Sequence, residues 1–425
     1  MSEKQKILNV FYDSKKAGEL IEDSEERLSF SYSKEWLESN EAFSLSLALK
    51  LSDKTFSHLE TKSFFENLLP EGEVRTILEK TSKRNISDEF NFLREYGIDC
   101  AGAFVISASE KLDKTQEFKN KEITLKSLYE YLDNRQSLTG AMINNEGGRF
   151  SLAGAQDKFP VIYKKKKIYL PLNGEPTTHI LKPYVLYHKD TADSPYNEYF
   201  CMNLAKSVGL NVPKVILVEG KYPLYLVERF DREVIEDETV RVHQQDFCQA
   251  KGITSKKKYE ADGGPTLLDN YQLIKTASSL PVKDLSAYLN WMWFNLLIGN
   301  NDCHSKNLSF LYSKDGLRLA PFYDLLSTVI YKDLTKKFSY RIGGQWMWHN
   351  LKNKHFDLLA KSFDVNVSLI LNKGRDLIKK IEKKLEKEVS SFNSKFEGID
   401  TAKKIEQIIE KRIGHLKKGI KDLDY

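Results

Sequence analysis

Over the first hundred residues the apolar positions come in short alternating or continuous runs, the spacing that strands require. ILNVFY (7–12), GELIE (18–22) after a DSKKAG turn, RLSFSY (27–32) and FSLSLAL (43–49) are read in this way. Residues 63–80 and 87–96 switch to helical period, and AGAFVIS (101–107) closes the region as a strand, which predicts a compact α/β subdomain. A polar stretch at 113–121 reads as a linker, followed by a helix over 125–134. From Asn144, NNEGGRFSLAGAQDKFPVIYKKKKIYLPL predicts a strand, a small-residue loop, a second strand, and a hairpin with its tip at 164–167. HILKP, KVILVE and LYLVERF are strands, with a helix over 196–209 between the first two. Beyond Asp231 the period becomes helical, through 285–299 to a long stretch over 367–423. The expectation is an α+β fold in three segments: an N-terminal α/β subdomain (1–110), a sheet-rich lobe (111–232) and a helical lobe (233–425).

Length agrees with that division, since 425 residues exceed what one hydrophobic core comfortably fills. With 41% apolar and 29% charged residues, and few Gly (22) or Pro (11), the chain is neither low-complexity nor fibrous. The formal charge of +5 is unevenly placed: residues 351–425 hold 18 Lys and Arg against 12 Asp and Glu, so the first 350 residues are close to neutral. The lysine run at 164–167 reads as a solvated hairpin tip. Cys100, Cys201, Cys248 and Cys303 have no metal-binding spacing and read as reduced thiols of a cytoplasmic protein. No apolar run approaches a membrane span, and no membrane role is expected.

Chemistry concentrates in LLIGNNDCHSKNLSFLYSKDGLRLAPFYDLL (296–326). A helix ends at Gly299, a polar loop presents Asp302 and Asn307, two short strands follow, and Asp324 stands after the second. Phosphoryl transfer uses this order: one carboxylate orients a hydroxyl and accepts its proton, and an amide and a second carboxylate bind Mg²⁺ on ATP phosphates. An Asn- and Asp-rich turn would be the purely structural alternative. Lys182, on a strand after the small-residue loop, fits a phosphate-pairing lysine, and Glu198, on the next helix, is a candidate partner for it. The loop SLAGAQDK (151–158) lets backbone N–H groups approach phosphates and adds the Lys158 cation, although it is neither a Walker A sequence nor GxGxxG. Glu228, Arg229 and Phe230 stand where a hinge would offer backbone groups to adenine.

Carried together, FFENLLPEGEVR, GIDCAGAFVI, SLAGAQDK, TTHILKP, YNEYFCMNLAKSVGLNVPKV, LVERFDR, VHQQDFCQA, KYEADGGP, LIGNNDCHSKNLSF and LAPFYDLLS make the chain resemble the HipA family of bacterial serine/threonine-protein kinases, toxins of toxin–antitoxin pairs. The resemblance runs over nearly the whole chain. It implies a bilobal protein-kinase-like fold, with Asp302 as catalytic aspartate, Asn307 and Asp324 as Mg²⁺ ligands and Lys182 on the ATP phosphates. Ala153, Gly154, Ala155, Gln156, Asp157 and Lys158 would form the phosphate loop. Glu228, Arg229 and Phe230 would form the adenine hinge, and His304, Lys306 and Tyr323 would complete the nucleotide pocket. Ser151 matches the family's autophosphorylated serine, whose modification expels the loop and switches the enzyme off. The resemblance further implies a protein substrate of the aminoacyl-tRNA synthetase class, a helix-turn-helix antitoxin, and operator DNA reached through the antitoxin complex. Cys303, where a small residue is usual, and Thr266, after GGP, depart from the pattern without removing a charged or ligand group. Two other classes share parts of this reading: a small-molecule phosphotransferase with the same Asp-x4-Asn logic, and a non-catalytic DNA-binding co-repressor using basic residues such as Lys379, Lys380 and Lys383.

Overall fold

The computed structural model describes residues 5–81, 86, 88–112, 119–184 and 191–423. It divides the chain into two units, 1–186 with 226–256, and 187–225 with 257–425. Helices and sheets are mixed in the manner of an α+β fold.

The first unit begins with an antiparallel sheet in the order Leu28–Tyr32, Lys15–Glu22, Lys6–Tyr12, Phe104–Ser107. Alternation drives it: Leu28, Phe30 and Tyr32 are buried while Ser29 and Ser31 are not. FSLSLAL is not a strand, contrary to its pattern. Its backbone is satisfied locally instead. The Tyr32 hydroxyl accepts from Leu45 N and donates to Leu49 O, and Gln245 Oε1 accepts from Leu47 N at 2.8 Å, so Leu45 and Leu49 are buried without a ladder. The helical stretch expected at 63–80 is broken. A helix His58–Phe65 and a short turn end at Leu69, Pro70 cannot donate, and a new helix Gly72–Thr81 begins at a positive φ. Of the linker predicted at 113–121, residues 113–118 lie outside the described residues and Asn120 opens a strand, Asn120–Ile123; residue 87 of the helix expected at 87–96 also lies outside them, and that helix spans Glu89–Tyr96.

A second sheet of this unit runs Asn120–Ile123, Lys167–Pro171, Phe159–Lys164, His179–Lys182, and then the part of strand Leu224–Glu228 that follows residue 225. Phe159 faces Leu181 and Val161 faces His179 in antiparallel register. Lys165 and Lys166 form the expected hairpin tip, both at positive φ. Before the small-residue loop no strand forms; residues 145–150 are a turn and irregular backbone, preceded by a helix Leu138–Asn144 capped by the Ser137 hydroxyl. A further correction concerns residues past Asp231. Arg232–Ile235 and Glu238–Arg241 pair as a hairpin through Glu236 and Asp237, both at positive φ, a turn geometry usually met by Asn-Gly and so invisible in these residues.

His243 fills this unit's core, its ring against Phe104 (4.7 Å) and Phe43 (5.3 Å). Nε2 lies 2.8 Å from Leu45 O, and Nδ1 accepts from Ala103 N at 3.5 Å, the pattern of a neutral imidazole. Burial pushes it down to about 4 from an ordinary 6.5. A depressed imidazole contributes its full stability above pH 6.5 and loses it as pH falls toward 4, about 3 kcal/mol over that range. Urea unfolding of the first unit is expected to show about 1 kcal/mol less stability at pH 5.5 than at pH 7.5 from this group. A His243→Gln chain that keeps the same slope would contradict it.

The second unit is mainly helical, with helices Ser194–Ser207, Leu267–Ala277, Pro281–Ile298, Asn353–Phe363, Val367–Lys395 and Thr401–Gly419. The stretch of helical period over 367–423 forms two helices separated near Gly398. Pro281–Ile298 is buried on every side over its second half, from Trp291 to Ile298: Trp293 stacks on Phe356 at 5.0 Å and 2°, and its N–H donates to Ile370 O. Gly374 lets Val367–Lys395 approach, since a Cβ there would lie 2.5 Å from the Trp293 ring. That helix presents Lys379, Lys380 and Lys383 on its exposed side and buries Ile378, Ile381, Leu385 and Phe392. No helix among the described residues is long and apolar enough to cross a membrane. All four cysteines are buried and free.

Candidate active site

In the second unit, the site grows from the end of the Pro281–Ile298 helix. Gly299 stops it in the left-handed region (φ 76°), where a Cβ would meet Val329 at 2.4 Å. Arg412 reaches the same helix end, donating to Leu296 O while lying 4.7 Å over the Trp348 ring; burial pushes this guanidinium down to about 10. The chain that follows is fixed by side-chain amides. Asn300 donates to Asn295 Oδ1 (2.8 Å) and Asp324 O (3.2 Å), and its own oxygen accepts from Asp302 N at 3.0 Å. One amide therefore ties together the backbones of the two aspartates that the sequence placed 22 residues apart. Asn301 donates to Thr335 O and Thr328 holds Asn301 N, so residues 328–335 brace the loop from behind.

Asp302 is half-buried, and its Oδ1 accepts from the Tyr259 hydroxyl at 2.5 Å. A donor there favours the ionised carboxylate and fixes its rotamer. His304 donates its backbone N–H to Asp302 O (2.9 Å), and its ring stands edge-on to Tyr259 at 4.9 Å. Asn307 is buried and its amide N donates to Asp302 O at 3.1 Å. That bond commits the donor end and turns the oxygen end to other partners, as a metal-binding amide requires. Tyr323 donates to Lys306 O at 2.6 Å and pairs with the Ser309 hydroxyl at 2.9 Å, clamping Lys306 to the start of strand Ser309–Ser313. Lys306 itself is buried. Asp324 sits at φ 59°, a conformation that Asp tolerates better than most residues and that cluster at functional sites. Asn197 holds the segment after it, accepting from Ser327 N (2.8 Å) and donating to Ser327 O (3.0 Å). Burial pushes the Tyr225 hydroxyl far up, and the Glu198 and Asp324 carboxylates add to this.

The first unit carries the other predicted residues. Ser151 is wholly buried; its N–H donates to Asp99 O (3.1 Å) and its hydroxyl to Leu68 O (2.8 Å). Gly154, at φ 112°, gives its carbonyl to Glu71 N at 3.0 Å and bridges Pro70, so the break in the 63–80 helix is what docks the loop. A Cβ on Gly154 would lie 2.4 Å from Lys158 Nζ, which shows that the ammonium folds over the loop backbone. Ala153, Gly154 and Gln156 are half-buried and Ala155 exposed, a surface of small residues and N–H groups under one cation. Lys182 is buried at the end of its strand.

The side chains of Asp157 and Arg229, one in the small-residue loop and one in the expected hinge, are anchored within the first unit. The Asp157 carboxylate is buried and accepts from Leu138 N (2.7 Å), Thr139 N (3.0 Å) and Ser137 Oγ (3.0 Å), anchoring the loop to a helix start. Burial pushes its pKa up against those hydrogen bonds. Arg229 points into an ionic cluster with Asp231 (2.8 Å) and Asp99 (3.3 Å), and its N–H is used by Thr178 O (2.9 Å). Glu228 and Phe230 flank it, half-buried. Sequence reasoning assigned no role to Tyr259, Asn300 or Asn197. Asn300 lies within GNND and was within reach of spacing, whereas Tyr259 is 43 residues before Asp302 and only the fold joins them.

Metal and nucleotide chemistry fit these groups. Asn307 and Asp324 would supply hard oxygens, few in number, as suits Mg²⁺. Among the described residues no cluster of three or more His, Cys, Asp or Glu offers a rival metal site. The family model of the HipA N-terminal domain matches residues 8–107, and that of the HipA-like C-terminal domain matches residues 150–413. The chain is 35% identical over 383 residues to the Sinorhizobium fredii protein Y4mE, covering 88% of this chain and 89% of the other. It is 31% identical over 328 residues to the serine/threonine-protein kinase toxin HipA of Shewanella oneidensis, covering 74% and 73%. The solved Shewanella oneidensis HipA, in a complex with HipB and operator DNA, superposes with a TM-score of 0.81 at 25% identity over 97% of each chain. With both family models matched in order and a 35% identical relative aligned over most of its length, the chain belongs to the HipA family of kinases.

Proposed function

We propose that this protein transfers the γ-phosphate of ATP to a serine or threonine hydroxyl of another protein. The observation that carries this reading is the loop in which Asn300 ties Asp302 to Asp324 while Tyr259 fixes the Asp302 carboxylate. Asp302 orients the acceptor hydroxyl and takes its proton through the oxygen that Tyr259 does not engage. Asn307 and Asp324 would hold a Mg²⁺ ion, which would supply charge neutralisation at the ATP phosphates. Lys182, with Lys158 and the N–H groups of residues 153–158, binds phosphate oxygens; Glu228 and Phe230 offer backbone groups to adenine. Because little covalent work falls to the protein, positioning and electrostatics supply most of the rate.

The substrate we propose, following the resemblance in sequence, is a translation factor of the aminoacyl-tRNA synthetase class. The neighbour solved with HipB and operator DNA supports a helix-turn-helix antitoxin, and operator contact through that antitoxin. A cytoplasmic place of action goes with both. Ser151 is the proposed site of self-modification. Its hydroxyl donates to Leu68 O inside the protein, so phosphorylation requires the loop to leave the 68–71 segment. A phosphate bearing nearly two charges has no place there, so the modified loop stays out and activity falls. After incubation with Mg-ATP, peptide mass spectrometry is expected to find phosphate on Ser151 and a Ser151→Ala chain to stay active longer. Phosphate found only elsewhere would contradict the regulatory part, and no transfer to any hydroxyl would contradict the activity.

A further inference from the structure

The buried ionic cluster of the first unit has a feature that ordinary core salt bridges lack. Asp99 uses its backbone and its side chain on two different parts of the proposed nucleotide site. Its carbonyl accepts from Ser151 N at 3.1 Å, at the entry to the phosphate loop. Its carboxylate accepts from Thr177 Oγ1 (2.6 Å), Arg229 Nη1 (3.3 Å) and Arg232 Nη2 (2.8 Å). Thr177 accepts in turn from Arg229 at 2.9 Å, and the next residue's carbonyl holds Arg229 N. Arg229 lies between Glu228 and Phe230, so its side chain fixes the backbone that would meet adenine.

The neighbouring chain closes the arrangement. Cys100 O accepts from Arg229 Nη2 at 2.9 Å, and Gly102 N donates to Asp231 Oδ2 at 2.7 Å. Gly102 needs its φ of 84°, because a Cβ there would lie 2.9 Å from His243 Nδ1. Every group in this cluster is buried apart from Arg241, which stands 3.6 Å from Asp99 at the edge. Burial pushes Asp99 up, but Arg229, Arg232 and Arg241 override it and keep the carboxyl below its usual range, so it is an anion at neutral pH. A stiff charged residue with one hand on each element transmits displacement between them, since a packed ionic cluster has few alternative arrangements.

We infer that Asp99 is a positioning residue that couples the phosphate loop at Ser151 to the adenine hinge at Arg229, making the N-terminal region part of the ATP-binding machinery. The inference rests on the proposed nucleotide site. A loop that leaves its dock on phosphorylation would, through the Ser151 N to Asp99 O bond, also loosen the hinge, so adenine affinity falls together with phosphate affinity.

The test uses the full chain and isothermal titration with Mg-AMP-PNP, adenosine and inorganic tripolyphosphate. Adenosine reads the hinge and tripolyphosphate reads the loop. Asp99→Asn removes the charge. Thr177→Val is the milder change, which removes one hydrogen bond to Asp99 and one from Arg229 without unbalancing charge. For Thr177→Val, each ligand is expected to bind about fivefold more weakly, as when part of the free energy of the two lost buried hydrogen bonds is transmitted to the site. Asp99→Asn should weaken all three further while kcat at saturating ATP stays within about threefold, a KM effect. If Thr177→Val weakens adenosine but leaves tripolyphosphate unchanged, or changes neither, the coupling is overturned. Wild-type protein that binds none of the three ligands would overturn the nucleotide site itself, a distinct outcome.

Discussion

Asp302→Asn is expected to lower phosphoryl transfer by about 10³-fold and leave the melting temperature nearly unchanged. The loop around Asp302 is held by groups that the substitution does not alter. Asn300 accepts from its backbone N–H, and its carbonyl accepts from Asn307 and His304. Asn retains an oxygen able to accept from the Tyr259 hydroxyl, so the side chain keeps its place. What disappears is the negative charge and the capacity to take a proton from the acceptor hydroxyl. Radiolabel transfer from ATP and a thermal melt on the same preparation separate the two effects. Transfer within tenfold of wild type would remove Asp302 from the chemistry, and a lost melt would make its role structural.

Arg229→Met should be the most destabilising single change in the first unit, about 3 to 5 kcal/mol. The side chain is 2% exposed and lies against Asp231, Asp99, Thr177 and Cys100 O. Burial pushes its pKa down and the carboxylates of Asp231 and Asp99 more than reverse this, so the cation is strongly held. Met has similar length but leaves Asp231 short of a partner 2.8 Å away, in a place where water cannot replace it. Denaturant unfolding would measure the loss. Adding Asp231→Asn should recover part of it by removing one stranded charge. A loss below about 1 kcal/mol would mean that Arg232 and Arg241 alone balance the site.

Where each element was legible follows from how local its cause is. Strands Lys6–Tyr12, Leu28–Tyr32 and Phe159–Lys164 declare themselves through period and β-branched or aromatic content, and Pro281–Ile298 through length and the dense apolar residues of its second half. FSLSLAL has the same alternation as Leu28–Tyr32 yet forms no strand, because Tyr32 and Gln245 claim its backbone groups. The hairpin at 232–241 escapes because Glu236 and Asp237 are unusual in its turn, and the helix at 138–144 because its cap is completed by Asp157 further along the chain.

The sequence by itself determined the order of the chemical parts, from the small-residue loop and strand lysine to Asp302, Asn307 and Asp324, because function requires particular donor and acceptor types in a fixed succession. Its alternation and helical periods also determined the mixed α+β class. Only the tertiary structure decided what each side chain does. It turned Asp157 and Arg229 inward as anchors, brought Tyr259 to Asp302 across 43 residues, and made Asn300 the link between the two aspartates. The physical reason is that a residue type states what it can bond, whereas its partner is chosen by burial. Once water is excluded, each polar group must pair with whatever the fold delivers within about 3 Å.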